Sequence, residues 1–415
     1  MDDGTARGAR PLTPLRAERV PAPVRALLEA LAAAGRASFL VGGCVRDLLR
    51  GRSPGDFDLA TPASVEEVLA LFPRAVPIGL HHGTVMVPSG CGPVDVTSFR
   101  SGPRIEDDLA HRDFTLNAIA YDPRDERVVD PFSGREDLAA LRLRAVGKAL
   151  ERLAEDPLRA VRACRLVAVL GLSVDPEVEA ALPAARVGLA RVARERVRHE
   201  LGVMLLAEGV AEGIALLRRS GIEADLAPGA PPDGGPVAAG VPAELELRLA
   251  AWLRGARTTP ILRTLRFPRR CVEAVAALLR AHPVEVSLPA LGDAVVRRLL
   301  RRVGERGYAD LVALRRAELQ HGDGAGTPAA AAALERVARL EAAVARVHHQ
   351  GHLALQRFDL ALDGAAVMQI LGCGPGPSVG RALRYLTDAV IDDPSRNTPT
   401  ALRALLDAWQ PGGRS

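Results

Sequence analysis

The chain changes character at Lys148, and this change restricts its fold more than any other feature of the sequence. Before Lys148, short apolar runs are separated by Gly, Pro and Asp, a pattern typical of strands joined by tight turns. After it, apolar residues recur at helical spacing, as over residues 158–170 and 195–207. We therefore predict an α+β fold, with an N-terminal α/β head built on a mixed sheet and an all-helical remainder.

With 415 residues the chain is too long for a single core, so several domains are expected. Residues 1–20 mix charges with Pro and Gly, lack the apolar core of a signal peptide and are predicted to be a disordered tail. No apolar run reaches membrane-spanning length, so we expect a cytoplasmic protein without membrane contact. The predicted domains are a head at 21–147, a helical neck at 148–215, a helical body at 216–345 with a flexible Gly/Pro/Ala-rich insert at 227–242, and a helical tail at 346–415.

The head has signals for both helices and strands. Helices are predicted at 23–34 and 64–72, the second with Ser64 as N-cap and Glu67 completing a capping box. Strands are predicted at 39–41, 57–60, 84–87, 94–99 and 143–146, where apolar runs are bounded by turn residues.

A Gly-Gly turn, Gly42-Gly43, separates the first predicted strand from a helix that carries Arg46. Glycines at such a turn let backbone N–H groups approach a phosphate closely, and Arg46 adds a cation. Gly-Gly turns before helices are common, so this pattern taken alone favours an ordinary turn.

Two aspartates, Asp56 and Asp58, flank Phe57 at the start of the next predicted strand. Residues i and i+2 of a strand project from the same face, so the two carboxylates repel each other unless a cation lies between them. Mg²⁺ prefers such oxygen ligands, and a metal held there can assist in-line attack on a phosphate. Asp95 lies in another predicted strand, where it is either an exposed residue or a further ligand or base.

Three arginines, Arg159, Arg162 and Arg165, recur on one side of a predicted helix that follows Asp156-Pro157. The rest of that helix is apolar, so the arginines border a core. Cytosine and adenine both present an amino donor beside a ring-nitrogen acceptor, whereas uracil and guanine present the reverse order. An Asp acceptor next to an Arg donor, here Asp156 and Arg159, would therefore select C and A without a nucleic-acid template.

Taken in order, these motifs resemble the class II tRNA nucleotidyltransferase and bacterial poly(A) polymerase family. Gly-Gly-x-Val-Arg-Asp at 42–47 is followed by Asp-x-Asp at 56–58, and further segments agree at 79–85, 112–118 and 130–134. The resemblance extends over residues 39–405. It implies a polymerase-beta-like nucleotidyltransferase head, followed by a neck that supports the base-binding helix, a body and a tRNA-binding tail.

The resemblance also implies an activity: addition of C, and of A in many members, to a tRNA 3′ end from CTP and ATP, with release of pyrophosphate. By position, Asp56 and Asp58 become the Mg²⁺ ligands, and Asp95 is our third catalytic candidate. The expected nucleotide contacts are Gly42, Gly43, Arg46, Arg112, Asp156, Arg159, Arg162 and Arg165.

The segment between Arg100 and His111 holds only ten residues. CCA-adding members have a longer flexible segment there, which the family requires for the switch from C to A addition. The short segment favours a CC-adding enzyme that works with a separate A-adding enzyme. The alternatives are a full CCA-adding enzyme, a poly(A) polymerase, and a tRNA-binding protein with an inactive transferase fold, against which the intact Asp56/Asp58 pair argues.

Overall fold

A computed structural model of the chain describes residues 11–79, 83–286, 288, 291–350 and 359–409. The chain divides into two compact units. The first holds residues up to Pro228 together with Thr264–Arg266, and the second holds Gly229–Arg263 and the chain from Phe267 onward. Within the described ranges, none of the helices combines the length and apolar character that a bilayer crossing needs.

The first unit is built on a mixed sheet, as the sequence predicts. Its strand order is β3-β4-β5-β2-β1-β6-β7, and β2 pairs with β5 in parallel while every other neighbouring pair is antiparallel. The strands are β1 Phe39–Val41, β2 Phe57–Thr61, β3 Val76–Gly79, β4 Thr84–Ser89, β5 Gly92–Ser98, β6 Ala120–Asp122 and β7 Arg127–Val129, and a separate small ladder pairs β8 Arg142–Leu143 with β9 Ser173–Val174.

Helices cover the sheet and continue beyond it in the same unit. Ile105 and Leu109 pack against Phe39, Val41 and Ala60 in one buried cluster. The predicted capping box is confirmed, since the Ser64 hydroxyl accepts from Glu67 N while the Glu67 carboxylate accepts from Ser64 N. The helices are α1 Ala22–Ala33, α2 Gly43–Leu49, α3 Val65–Leu71, α4 Ile105–Leu109, α5 Gly134–Ala139, α6 Ala149–Glu155, α7 Leu158–Leu170, α8 Pro176–Ala181, α9 Arg186–Leu189, α10 Arg194–Leu206, α11 Val210–Arg219 and α12 Ile222–Leu226.

Every described element that begins in the second unit is helical. The long helix α17 is bent at Gly304, whose backbone leaves the helical conformation with φ 73°. The helices are α13 Gly234–Ala239, α14 Leu245–Leu253, α15 Thr258–Thr264, α16 Arg269–Ala281, α17 Asp293–His321, α18 Pro328–His349, α19 Gly364–Leu371, α20 Pro377–Asp392 and α21 Pro399–Asp407.

Three sequence predictions about local structure are wrong. The disordered tail predicted over 1–20 does not extend through its second half, because Leu15 and Val20 are buried; residues 1–10 lie outside the described ranges. The flexible insert predicted at 227–242 contains helix α13, which buries Val237 and Ala238. The strand predicted at 143–146 is confined to β8, since the backbone beyond it makes only an isolated bridge between Phe114 and Ala145.

Helix α5 begins at Gly134, where the chain passes unusually close to the turn at Thr115. A Cβ on Gly134 would lie 2.1 Å from the Thr115 carbonyl oxygen and 2.9 Å from an Ile119 side-chain carbon. We expect Gly134→Ala to destabilise the first unit by about 3 kcal/mol or more, because backbone must shift to admit the methyl group. The free energy of unfolding, measured by denaturant titration, tests this.

The matched control for Gly134→Ala is Gly202→Ala. A Cβ on Gly202, within α10, meets no atom within 4 Å. This variant should be neutral or slightly stabilising, since alanine favours a helix by about 1 kcal/mol over glycine. Equal stability of the two variants would contradict the contact at Gly134.

Candidate active site

Two carboxylates lie on neighbouring strands at the centre of the sheet, and a third directly precedes one of these strands. Asp58 of β2 is in register with Asp95 of β5, and Asp56 comes two residues before Asp58. Paired residues of adjacent strands are about 4.8 Å apart and project from the same face, as do residues i and i+2. Phe57 and Leu59 alternate with the aspartates and are buried. The fold therefore brings the three candidate catalytic carboxylates to one face.

Burial, together with the crowding of negative charge, raises the pKa of two of these carboxyl groups. Burial and then repulsion from Asp56 and Asp95 raise the pKa of Asp58 to about 6, against the opposing charge of Arg112. Burial and Asp56 also raise the pKa of Asp95. A divalent cation would remove this repulsion.

The residues present fit a Mg²⁺ ion that is coordinated partly by the protein and partly by the phosphates of a bound substrate. Within the described part of the chain, no three His, Cys, Asp or Glu side chains are grouped closely enough to enclose a metal by themselves. Mg²⁺ is typically held by one or two carboxylates, with water and substrate phosphates completing the shell. Asp56 and Asp58 provide such a partial, all-oxygen set.

The Gly-Gly turn lies directly beside these carboxylates. Gly42 has φ 74°, and a Cβ there would lie 3.1 Å from Nη1 of Arg112 and 3.5 Å from Oδ2 of Asp58. On the other side, a Cβ on Gly43 would lie 3.5 Å from Nη2 of Arg46. The turn is thus flanked by two guanidinium groups and by the Asp58 carboxylate, an arrangement suited to a phosphate chain with a bound metal.

Both flanking arginines are held by other side chains. Arg112 donates from Nε and Nη2 to Oδ2 of Asp108, at 3.3 and 3.1 Å. Arg46 donates from Nε to Oδ1 of Asp47 at 3.0 Å and from Nη1 to Oδ1 of Asn117 at 2.9 Å. These contacts fix where each positive charge lies relative to the turn.

The proposed base reader lies at the start of α7, but its two side chains are not paired with each other. Oδ2 of Asp156 accepts from Nη2 of Arg196 at 2.9 Å. Arg159 is buried, and its Nη1 donates to the Arg152 carbonyl and to Glu155, both at 2.9 Å. Its Nη2 donates to the His111 carbonyl at 3.0 Å. The two residues are neighbours on one turn, each with its own partners.

Arg162 and Arg165 converge on one buried carboxylate of α10, Glu200. Arg162 donates from Nε to Oε1 of Glu200 at 3.0 Å and from Nη1 to Oδ2 of Asp113 at 2.9 Å. Nε of Arg165 lies 2.6 Å from Oε2 of Glu200, as an ion pair without the alignment of a hydrogen bond. Burial alone would raise the pKa of Asp113, but Arg162 and Asn117 outweigh it and lower that pKa to about 2.

The sequence prediction did not assign a role to four side chains that hold the predicted ones in place. These are Asp108, Asp113, Asn117 and Glu200, all buried. For Asp113 and Asn117 the signal in the sequence was their position inside the segment 112–118 and their four-residue spacing, whereas neither Asp108 nor Glu200 was singled out by the sequence analysis. Of the segment 79–85, residues 80–82 lie outside the described ranges.

Two family models and several known proteins match this chain. Residues 38–144 match the family model "Poly A polymerase head domain", and residues 171–231 match "Probable RNA and SrmB- binding site of polymerase A". A CCA-adding enzyme of Geobacillus stearothermophilus is 35% identical over 289 residues, which are 61% of this chain and 69% of that protein. A CC-adding tRNA nucleotidyltransferase of Shouchella clausii is 40% identical over 191 residues, 46% of this chain and 50% of that protein.

A solved structure extends the likeness to the whole fold. The Bacillus stearothermophilus CCA-adding enzyme, whose crystal structure in complex with CTP is known, is 30% identical in sequence to this chain. The two structures match with a TM-score of 0.74, over 93% of this chain and 96% of that one. The protein is an enzyme, a nucleotidyltransferase. It belongs to the family of CCA-adding enzymes and related tRNA nucleotidyltransferases.

Proposed function

We propose that this enzyme adds nucleotides to the 3′ end of tRNA, taking CTP and ATP without a nucleic-acid template and releasing pyrophosphate. The observation that carries the proposal is the placement of Asp56, Asp58 and Asp95 on one face, next to the Gly42-Gly43 turn. Relatives described with CTP and with tRNA support the same substrates.

Separate groups of residues bind the triphosphate and the base of the nucleotide. Asp56 and Asp58 would hold Mg²⁺, which when bound lowers the pKa of the attacking 3′ hydroxyl and stabilises the developing charge. Arg46, Arg112 and the backbone of Gly43 bind and orient the triphosphate for in-line attack.

Asp156 and Arg159 read the base edge at the other end. The Asp156 carboxylate accepts from the amino group that C and A share, and Arg159 donates to the ring nitrogen. The partner of Asp156 in the structure, Arg196, is half exposed, so a base can displace it at modest cost. Arg162 and Arg165 fix helix α7 through their ion pairs with Glu200, and they add positive charge to the nucleotide site.

We propose that the product is a CC end. The ten residues between Arg100 and His111 form a short folded segment, in which α4 packs into the head core. Its ends are tied together, because Nη1 of Arg100 donates to the His111 carbonyl at 2.9 Å and the His111 ring lies 2.8 Å from the Ser101 hydroxyl. Such a segment has little length to rearrange between C and A addition. In this case a separate A-adding enzyme completes the end.

Full CCA addition is the competing candidate, because several similar relatives are named CCA-adding enzymes. The deciding assay supplies purified protein, Mg²⁺ and tRNA lacking its last three nucleotides with CTP alone, ATP alone, or both. Two added cytidines and no terminal A support CC addition, whereas a third nucleotide with both substrates supports CCA addition. A long A tail from ATP alone would exclude the tRNA-specific proposal in favour of a poly(A) polymerase.

The Gly-Gly turn gives a further prediction for this assay. In Gly42→Ala the new methyl group would have to displace the Arg112 guanidinium, and alanine at φ 74° adds a strain of about 1–2 kcal/mol. We expect a KM for CTP raised about tenfold, since the methyl group shifts the Arg112 guanidinium and occupies the surface of the turn that the triphosphate would approach.

Gly35→Ala is the control for that variant. Gly35 has nearly the same φ of 73°, but a Cβ there meets no atom within 4 Å. It should show a similar loss of thermal stability and an unchanged KM. The same KM in both variants would refute a role for the turn in nucleotide binding.

A further inference from the structure

Asn117 is a buried polar residue beside the proposed triphosphate site, and the proposed reaction gives it no role. It lies in the short 3₁₀ turn Thr115–Asn117 and is 9% exposed. Its Nδ2 donates to Oδ1 of Asp113 at 3.0 Å, and its Oδ1 accepts from Nη1 of Arg46 at 2.9 Å. One carboxamide therefore connects a carboxylate to a guanidinium group.

The two partners call for a bridging group that both donates and accepts hydrogen bonds, as a carboxamide does. The Asp113 carboxylate only accepts hydrogen bonds, and the Arg46 guanidinium only donates them. A carboxamide satisfies both with one orientation, its N–H toward Asp113 and its oxygen toward Arg46. An apolar side chain would leave both charged groups without this contact, and an aspartate would set two like charges side by side.

The amide is itself anchored. Oδ1 of Asp113 also accepts from Phe114 N at 2.7 Å, and Oδ2 of the same carboxylate accepts from Arg162 at 2.9 Å. At the other end, Asp47 holds the Nε edge of Arg46, so Asn117 restrains its second, Nη1 edge. The guanidinium group cannot turn away from the Gly43 backbone while both contacts persist.

We propose that Asn117 is a positioning residue that holds the Arg46 guanidinium toward the triphosphate of the incoming nucleotide. This inference rests on the proposed function, in which Arg46 binds that triphosphate. Asn117 acts through Arg46 and does not touch the base. Its effect is therefore confined to ligands that carry phosphates.

The first test compares ligands with and without phosphates in Asn117→Ala. We expect the KM for CTP to rise about tenfold while kcat stays within about twofold, because the lost contact is made equally in the bound and transition states. Binding of inorganic tripolyphosphate with Mg²⁺, measured by titration calorimetry, should weaken by a similar factor. Inhibition by cytidine, which has no phosphate, should not change; an equal loss for cytidine would overturn the proposal.

The second test is a double-mutant cycle with Arg46→Ala. If Asn117 acts through Arg46, adding Asn117→Ala to Arg46→Ala changes tripolyphosphate binding by less than about twofold. Effects that multiply in the double variant, or an unchanged KM in Asn117→Ala alone, would overturn the assignment.

Thr61→Val is the control for loss of a side-chain hydrogen bond elsewhere in the same head. The Thr61 hydroxyl donates to the Ala37 carbonyl at 2.8 Å, and valine is nearly isosteric. This variant should lower the Tm and leave tripolyphosphate binding unchanged. Calorimetry needs no turnover, so a wild-type protein that binds tripolyphosphate but transfers no nucleotide would refute the proposed function while the cycle still decides the role of Asn117.

Discussion

Asp58→Asn is expected to reduce nucleotide incorporation into tRNA by about 1000-fold or more, while the head stays folded. An amide at this position cannot balance a divalent cation or help to place it against the α-phosphate. The same change removes one of three crowded carboxylates. Because burial and repulsion from Asp56 and Asp95 disfavour the charged form of Asp58, the variant should melt at the same temperature as the wild type, or higher, in EDTA.

The control for this variant is Asp125→Asn, which changes an exposed aspartate of the same head. Asp125 makes a 3.9 Å ion pair with Arg127, and its Oδ1 accepts from Arg127 N at 3.2 Å, a bond that an asparagine oxygen can also accept, so Asp125→Asn should alter neither the rate nor the Tm. The measurements are incorporation of labelled CTP and thermal melting with and without Mg²⁺. Incorporation that survives in Asp58→Asn would refute the catalytic assignment. A Tm of this variant below that of the wild type in EDTA would refute the inference that the three carboxylates repel one another.

Glu200→Ala is expected to give the largest loss of stability among variants of the neck helices, about 3–5 kcal/mol. Glu200 is 4% exposed and is the shared partner of Arg162 and Arg165. Its removal leaves two partly buried guanidinium groups facing each other, where their repulsion is weakly screened. Because both arginines lie on α7, nucleotide affinity should fall together with stability.

Glu195→Ala is the matched control, since it removes a carboxylate from the same helix at an exposed position. Its expected loss is below about 1 kcal/mol, which is the contribution of an acidic residue in the first turn of a helix. Denaturant titrations compare the free energy of unfolding of the two variants, and CTP binding is measured in the same buffer. Similar losses in the two variants would mean that Glu200 does not hold the arginines.

The sequence alone predicts the structure correctly where a short local pattern determines it. The capping box at Ser64 needs only residues three apart, and the placement of Asp58 between the buried residues Phe57 and Leu59 needs only the alternation of one strand. The fold class followed from the loss of strand signals after Lys148. By contrast, β3, β6 and β7 were not predicted, because Pro77 and the charged residues around β7 weaken the strand pattern, and pairing within the sheet overrides it.

The remaining errors come from contacts between residues far apart in sequence. Helix α13 contains two glycines and a proline, and local propensity predicts a loop there, yet Val237 and Ala238 are buried. The partners of Arg162 are 49 residues earlier and 38 residues later in the chain, so no local pattern could identify them. The contacts of Asp156 with Arg196 and of Arg159 with the His111 carbonyl, 40 and 48 residues apart in sequence, were unpredictable for the same reason.

The ion pair between Asp113 and Arg162 limits how the enzyme can be divided. The predicted boundary between head and neck, at residues 147 and 148, separates these two side chains, although both belong to one compact unit. A head excised at that boundary would carry a buried carboxylate without its cation. A head that is exchanged between relatives would therefore need its matching neck helices as well. The smallest part of the enzyme that can be transferred intact is the whole first unit.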